Sequence, residues 1–181
     1  TVDHMGAYPV HMASYFSCTG ALEELLKANA EAISLLDQEQ NTLLHYLANN
    51  SHITQSDSDQ FTETVMNKKR ELLERKNGNG QTPIHVASAR GNVVFLRSVA
   101  DNISKLEQSF YFVAKDAAGR TPLHIAAIHG HSEAFLYLVE RGVDPNLLSD
   151  AEVTPLHAAV VKNQVEFVKE VLNCEKLELN L

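Results

Sequence analysis

The side chains best suited to chemistry in this chain of 181 residues are nine histidines and two cysteines. A zinc pair on a helix needs imidazoles at i and i+4, so that both share one face. His124, His129 and His131 lie close together but lack that spacing, and neither a His-Glu-x-x-His nor a Cys-x-x-Cys occurs. Asp57, Asp59 and Glu63 could contact calcium. They lack the glycine and the full oxygen set of a calcium loop, and a solvated segment is expected instead. Gly78-Asn79-Gly80 is shaped like the start of a phosphate-binding loop. Without a buried strand before it, it is expected to be a turn. Cys18 has no base that the sequence assigns to it, so no activated nucleophile is expected. The expectation is no catalytic site, no metal and no cofactor.

The histidines are informative through their regularity. His11, His45, His85, His124 and His157 are separated by 34, 40, 39 and 33 residues. Three of them sit in near-identical settings: Thr82-Pro83-Ile84-His85, Thr121-Pro122-Leu123-His124 and Thr154-Pro155-Leu156-His157. Tyr8-Pro9-Val10-His11 and Thr42-Leu43-Leu44-His45 are weaker copies. A threonine suits a helix N-cap, and proline suits the first helical position, where no N–H is needed. Glycine five residues before the histidine (Gly6, Gly80, Gly119) suits a tight turn with positive φ. Alanines after the histidine keep one helix face thin. Gly130 breaks the first helix, Ala134 to Val139 carry an apolar face at helical spacing, and Gly142 ends the second helix. Each unit therefore reads as turn, helix, turn, helix. One unit cannot bury its own apolar face, whereas stacked units share a continuous core.

This pattern resembles the ankyrin repeat, with its Asp-x-x-Gly-x-Thr-Pro-Leu-His opening. The resemblance implies an all-α solenoid of stacked helix-turn-helix units with β-turn tips. A single array over 1–181 is expected, with repeats near 3–36, 37–76, 77–115, 116–148 and 149–181. The second repeat is expected to hold a polar insertion at 51–60, followed by a helix over 61–73. The third holds one at 100–112, which Phe110, Tyr111, Phe112 and Val113 pin onto the stack. The first helix of the second repeat, 43–49, lacks both glycine and proline and is expected to be the least well specified. Neither end carries a polar capping unit, which suggests a fragment of a longer protein.

Composition narrows the function. A net charge of −8 disfavours a general nucleic-acid binder. No apolar run approaches the length needed to span a membrane. Cys18 and Cys174 fall at opposite ends of the array and are expected to be free thiols in a reducing compartment. The expected location is the cytoplasm or nucleus, or a host cytosol if the protein is a bacterial effector. A monomer is expected.

By resemblance, the partner surface is the concave face of turn tips and first helices. It binds a protein of unknown identity, and no catalysis resides in the chain. In this sequence those positions give Met5, Tyr15, Phe16, Asn49, Asn50, Arg90, Arg120, Ile128, His129 and Lys162. Met5, Tyr15 and Phe16 form an apolar patch, which could equally pack on a preceding repeat. Arg90, Arg120, His129 and Lys162 form a partly basic stripe. The alternative is a regulatory or targeting segment of a larger enzyme, channel or effector. Asn146 and Asn180 also resemble asparagines that an asparaginyl hydroxylase modifies in ankyrin proteins, each with leucine eight residues before and an acidic residue two before.

Overall fold

A computed structural model describes residues 2–4, 6–174 and 179 of the chain. Its elements are α1 (Pro9–Tyr15), α2 (Thr19–Ala28), α3 (Leu43–Asn49), α4 (Gln55–Lys69), α5 (Pro83–Arg90), α6 (Val93–Asn102), α7 (Lys105–Tyr111), α8 (Pro122–His129), α9 (Ser132–Glu140), α10 (Pro155–Val161) and α11 (Val165–Leu172). Short 3-10 turns follow α2 at Ala30–Ser34 and α4 at Arg70–Leu73. The helices form two layers. The first layer packs α1 on α3, α3 on α5, α5 on α8 and α8 on α10. The second packs α2 on α4, α4 on α6, α6 on α9 and α9 on α11. This is the expected all-α stack of helical pairs.

The core is one continuous apolar cluster between the layers, built around the fully buried Phe61, Phe95, Phe112 and Phe135. Residues two and three after the first four repeat histidines are small or closely packed. Ser14, Leu47, Ala48, Ala87, Ser88, Ala126 and Ala127 are all buried where first helices meet. Short side chains at this seam let helix axes approach to about 8–10 Å.

The helix starts follow one local rule. The backbone N–H of Thr42, Thr82 and Thr121 donates to Nδ1 of the histidine three residues on, at 3.1, 3.3 and 3.2 Å. Tyr8 does the same with His11 at 3.0 Å. The imidazole thus takes the part that glutamate takes in a capping box. At the tips, residues five before the histidine all have left-handed φ: Gly6, Gln40, Gly80, Gly119 and Glu152. Glycine is favoured there because a Cβ crowds the carbonyl. The two repeats without glycine adopt the same turn at a cost in strain.

Three sequence expectations are corrected. The stretch 51–60 is not a loop throughout: α4 begins at Gln55, because Thr54 caps it by accepting from the Asp57 N–H at 3.2 Å. The polar composition hid a buried polar seam, in which Gln55, Ser58 and Asp59 meet Ser98 of α6. Helix α3 is well anchored, since Leu43, Leu44, Leu47 and Ala48 are fully buried and Thr42 and His45 form its cap. In the other insertion, Tyr111 and Phe112 are buried but Phe110 is 60% exposed. Tyr111, Phe112 and Val113 therefore pin the insertion as expected and Phe110 does not; Arg70, which pairs with Glu107 at 2.8 Å, and Gln108, whose side-chain amide donates to the Ala100 carbonyl at 2.9 Å, hold helix α7 as well.

Candidate functional site

The repeat histidines decide which surface is left free. The cap bond into Nδ1 fixes the neutral tautomer with its proton on Nε2. That proton is donated to a carbonyl of the following unit: His45 to Gln81 at 2.9 Å, His85 to Arg120 at 3.0 Å and His124 to Val153 at 2.8 Å. His11 reaches Leu35 at 3.0 Å and stacks on Tyr46. Burial holds the neutral form and lowers the pKa of His45 and His85 to about 4. His11 and His124 are lowered for the same cause. His157 is exposed, and its Nδ1 contacts the Thr154 hydroxyl at 2.7 Å.

A return bond completes each later junction, made by the residue seven after the histidine. Asn92 caps α6 through the Phe95 N–H at 2.9 Å and donates back to the carbonyls of Ala48 at 3.0 Å and Asn50 at 2.8 Å. His131 reaches the Ala89 carbonyl at 3.0 Å, and Gln164 reaches Ile128 at 2.7 Å. These imidazoles are structural braces. Among the described residues, no group of three His, Cys, Asp or Glu converges to hold a metal.

The tips carry a second set of braces. Asp37 accepts from the N–H groups of Glu39 and Asn41 at 2.9 and 2.7 Å, and from the Tyr46 hydroxyl at 2.9 Å. Burial works against its ionisation, but these bonds and one from the Asn41 side chain outweigh it and hold the pKa below its ordinary value. Asp116 behaves alike. Burial again opposes its charge, and the Arg120 side chain and the tip N–H groups overcome it.

Between the row of tips and the row of first helices lies an open groove of about 490 Å³. Glu39, Asn41, Asn79 and Gln81 line it from the tips, and Tyr46, Asn49, Val86, Ala89, Arg90 and His129 from the helices. The groove brings together three of the residues expected to bind a partner: Asn49, Arg90 and His129. Arg90 Nε donates to Asn49 Oδ1 at 2.7 Å. His129 is exposed, stacks on His131 with ring centres 6.4 Å apart, and has a lowered pKa. Partial desolvation of the ring where it lies on the helix is the main cause, followed by the neighbouring His131, Arg90, Arg120 and Lys162.

The other expected residues are placed less uniformly. Phe16 is 63% exposed, and its ring meets Tyr15 edge-on at 5.2 Å. The Tyr15 carbonyl accepts from the Asn50 side chain at 2.6 Å. Ile128 is half-buried and Lys162 exposed. Arg120 doubles back onto Asp116, with contacts at 3.0 and 2.8 Å, so much of its charge is spent within the tip. Asn146 is half-buried in a turn where its N–H donates to Asp144 at 2.8 Å. Met5 and Asn180 lie outside the described residues. The sequence reading passed over Tyr46. Its position directly after the repeat histidine is apolar in the four other units (Met12, Val86, Ile125, Ala158), and a tyrosine there gave no signal apart from its hydroxyl.

No helix among the described residues is long and apolar enough to cross a membrane. Cys18 and Cys174 are free thiols, Cys18 exposed and Cys174 partly so. A sequence model of the family described as ankyrin repeats (3 copies) matches residues 53–149 and again 112–181. The two matches together run through well over half of the chain, and the paired helices, tip turns and histidine braces agree with them: the chain belongs to the ankyrin repeat family.

Proposed function

We propose that this chain is a protein-interaction module with no catalysis of its own, and that a partner protein seats in the groove between the tips and the first helices. The observation that carries this reading is the groove itself. It is open, it is lined by side chains held in place by tip and helix hydrogen bonds, and it mixes amide, aromatic and basic groups. Preformed surfaces of this kind lose little conformational entropy on binding. Arginine and aromatic side chains are the types that most often dominate interface energies. The carboxylate of Asp37 beside the groove is braced inside its tip, and the groove lining holds no serine, threonine or cysteine that could act as a nucleophile beside His129.

The test is capture from native cytosol followed by mass spectrometry. It compares the wild-type chain with a variant carrying Tyr15→Ala, Phe16→Ala, Arg90→Ala and His129→Ala. The variant should lose the captured partner while its melting temperature stays close to that of the wild type. A partner retained in full by the variant would refute the site.

A further inference from the structure

The residue five after each repeat histidine falls at the same place on each successive first helix. In order along the stack these residues are Phe16, Asn50, Arg90, His129 and Lys162. The last three are basic or imidazole groups on consecutive first helices, at the ends of α5, α8 and α10. Many basic side chains elsewhere are neutralised locally: Lys27 by Glu24, Arg70 by Glu107, Lys115 by Asp150, Arg120 by Asp116 and Lys169 by Glu166. Arg90 and Lys162 have no carboxylate partner among the described residues. Arg90 is tied through Nε to Asn49, which leaves its two terminal nitrogens to face a ligand. Lys68, Arg75, Lys76, Arg97 and Lys105 likewise have no carboxylate partner among the described residues, but none of them lies on a first helix. Arg90 inside the groove, whose lining also holds Asp37 and Glu39, stands in one row with His129 and, beyond that lining, Lys162.

The geometry points to an extended acidic peptide as the occupant of this line, with a carboxylate at every third residue. This rests on the groove reading above and sharpens it. Adjacent packed helices stand about 8–10 Å apart. An extended or polyproline chain advances about 3.1–3.3 Å per residue, so three residues match one step between rungs. Arg90 and Lys162 take the outer carboxylates as charge-assisted hydrogen bonds. The His129 imidazole donates to the middle one. A helical peptide does not fit this register as well. Its rise of about 1.5 Å per residue would need acidic side chains about six residues apart, which do not share a helix face.

The test uses fluorescence anisotropy with labelled peptides on the whole chain. One probe is four Glu-Pro-Pro triplets, which hold the threefold spacing. A second has the same composition with its glutamates contiguous, and a third has glutamine in place of glutamate. The spaced acidic peptide should bind at least about fivefold more tightly than the contiguous one, weaken as salt is added, and lose about tenfold with Arg90→Ala and Lys162→Ala combined. Lys105→Ala, on the outer helix α7, should leave binding unchanged. Equal binding of spaced and contiguous peptides would overturn the proposal, as would the same loss in the Lys105 variant. A cytosolic partner lost with Asn49→Ala and Asn79→Ala, yet kept with Arg90→Ala and Lys162→Ala, would leave the groove as the site and overturn the acidic ladder.

Discussion

Mild acid should loosen the stack through its internal histidines. His45 and His85 ionise at about 4 in the folded chain, against 6.5 for an unburdened imidazole. A histidine whose folded pKa lies below its unfolded one contributes fully above 6.5, and that contribution is lost as the pH falls from 6.5 toward 4. At about pH 5 the unfolded chain has gained the two protons and the folded chain has not, which costs about 2 kcal/mol per histidine, or about 4 kcal/mol in all. That is a large share of the roughly 5–15 kcal/mol by which domains are stable. His11 and His124 act in the same direction. Asp37 and Asp116 do not interfere, because their contribution disappears only below the ordinary carboxylate value of 3.8. Relief of the net charge of −8 would act the other way, since it lessens self-repulsion. The assay is urea unfolding followed by far- and near-ultraviolet circular dichroism between about pH 7.5 and pH 5. A His45→Gln, His85→Gln double variant should be less stable at the upper pH, yet lose about 4 kcal/mol less across the range. Equal stability of the wild type at both ends would refute the reasoning. A double variant with the wild-type pH slope would refute it equally.

Three further outcomes follow from the same geometry. Gly119→Ala should cost more than about 2 kcal/mol, because φ is +69° and the added Cβ would lie against the Asp150 side chain; Gln40→Gly, at φ +64°, should instead raise stability by about 0.5–1 kcal/mol, both read from urea midpoints. Asn92→Ala should cost about 2–3 kcal/mol by removing the α6 cap and the bonds to Ala48 and Asn50, and native-state hydrogen exchange should show the end of α3 opening first. Leu106→Ser with Phe110→Ser should change stability by less than about 0.5 kcal/mol, because these side chains are 82% and 60% exposed; a large drop in melting temperature would mean that α7 is pinned through them after all.

The fold was legible wherever one residue type had one physical reason to be present. Thr-Pro before the histidine, glycine at the tip and alanine at the seam each answer a local demand, and the helices start where those residues place them. Legibility failed where the reason was distant. The polar run at 51–60 looked solvated because the sequence could not show that Ser98, some forty residues on, would meet Ser58 and Asp59. Phe110 looked like an anchor because aromatics usually are. Tyr111 and Phe112 fill the available space, and the register of α7 turns Phe110 outward. Within the site, Arg90 and His129 could be named from their offset to the repeat histidine. The groove's floor at Tyr46 could not, because its role depends on the tip aspartate nine residues before it.

The two sets of bonds at each later junction explain why the rungs vary. The histidine spends its Nε2 proton on the next unit, and the residue seven after it returns a bond to the unit before. Packing at the seam fixes the residues two and three after the histidine as small or apolar, and they are buried in the first four units. The position five after it has no fixed duty, although Asn50 reaches back to the Tyr15 carbonyl and Arg90 to the Asn49 side chain. It holds phenylalanine, asparagine, arginine, histidine and lysine in turn, and no single packing environment would accept that series. Side chains so different in size and charge can share one structural position only if the stack makes no common demand on them there. Their chemistry is then free to be set by whatever lies in the groove, and the sequence of rungs, aromatic to amide to cation, is the place to look for the partner's complementary pattern.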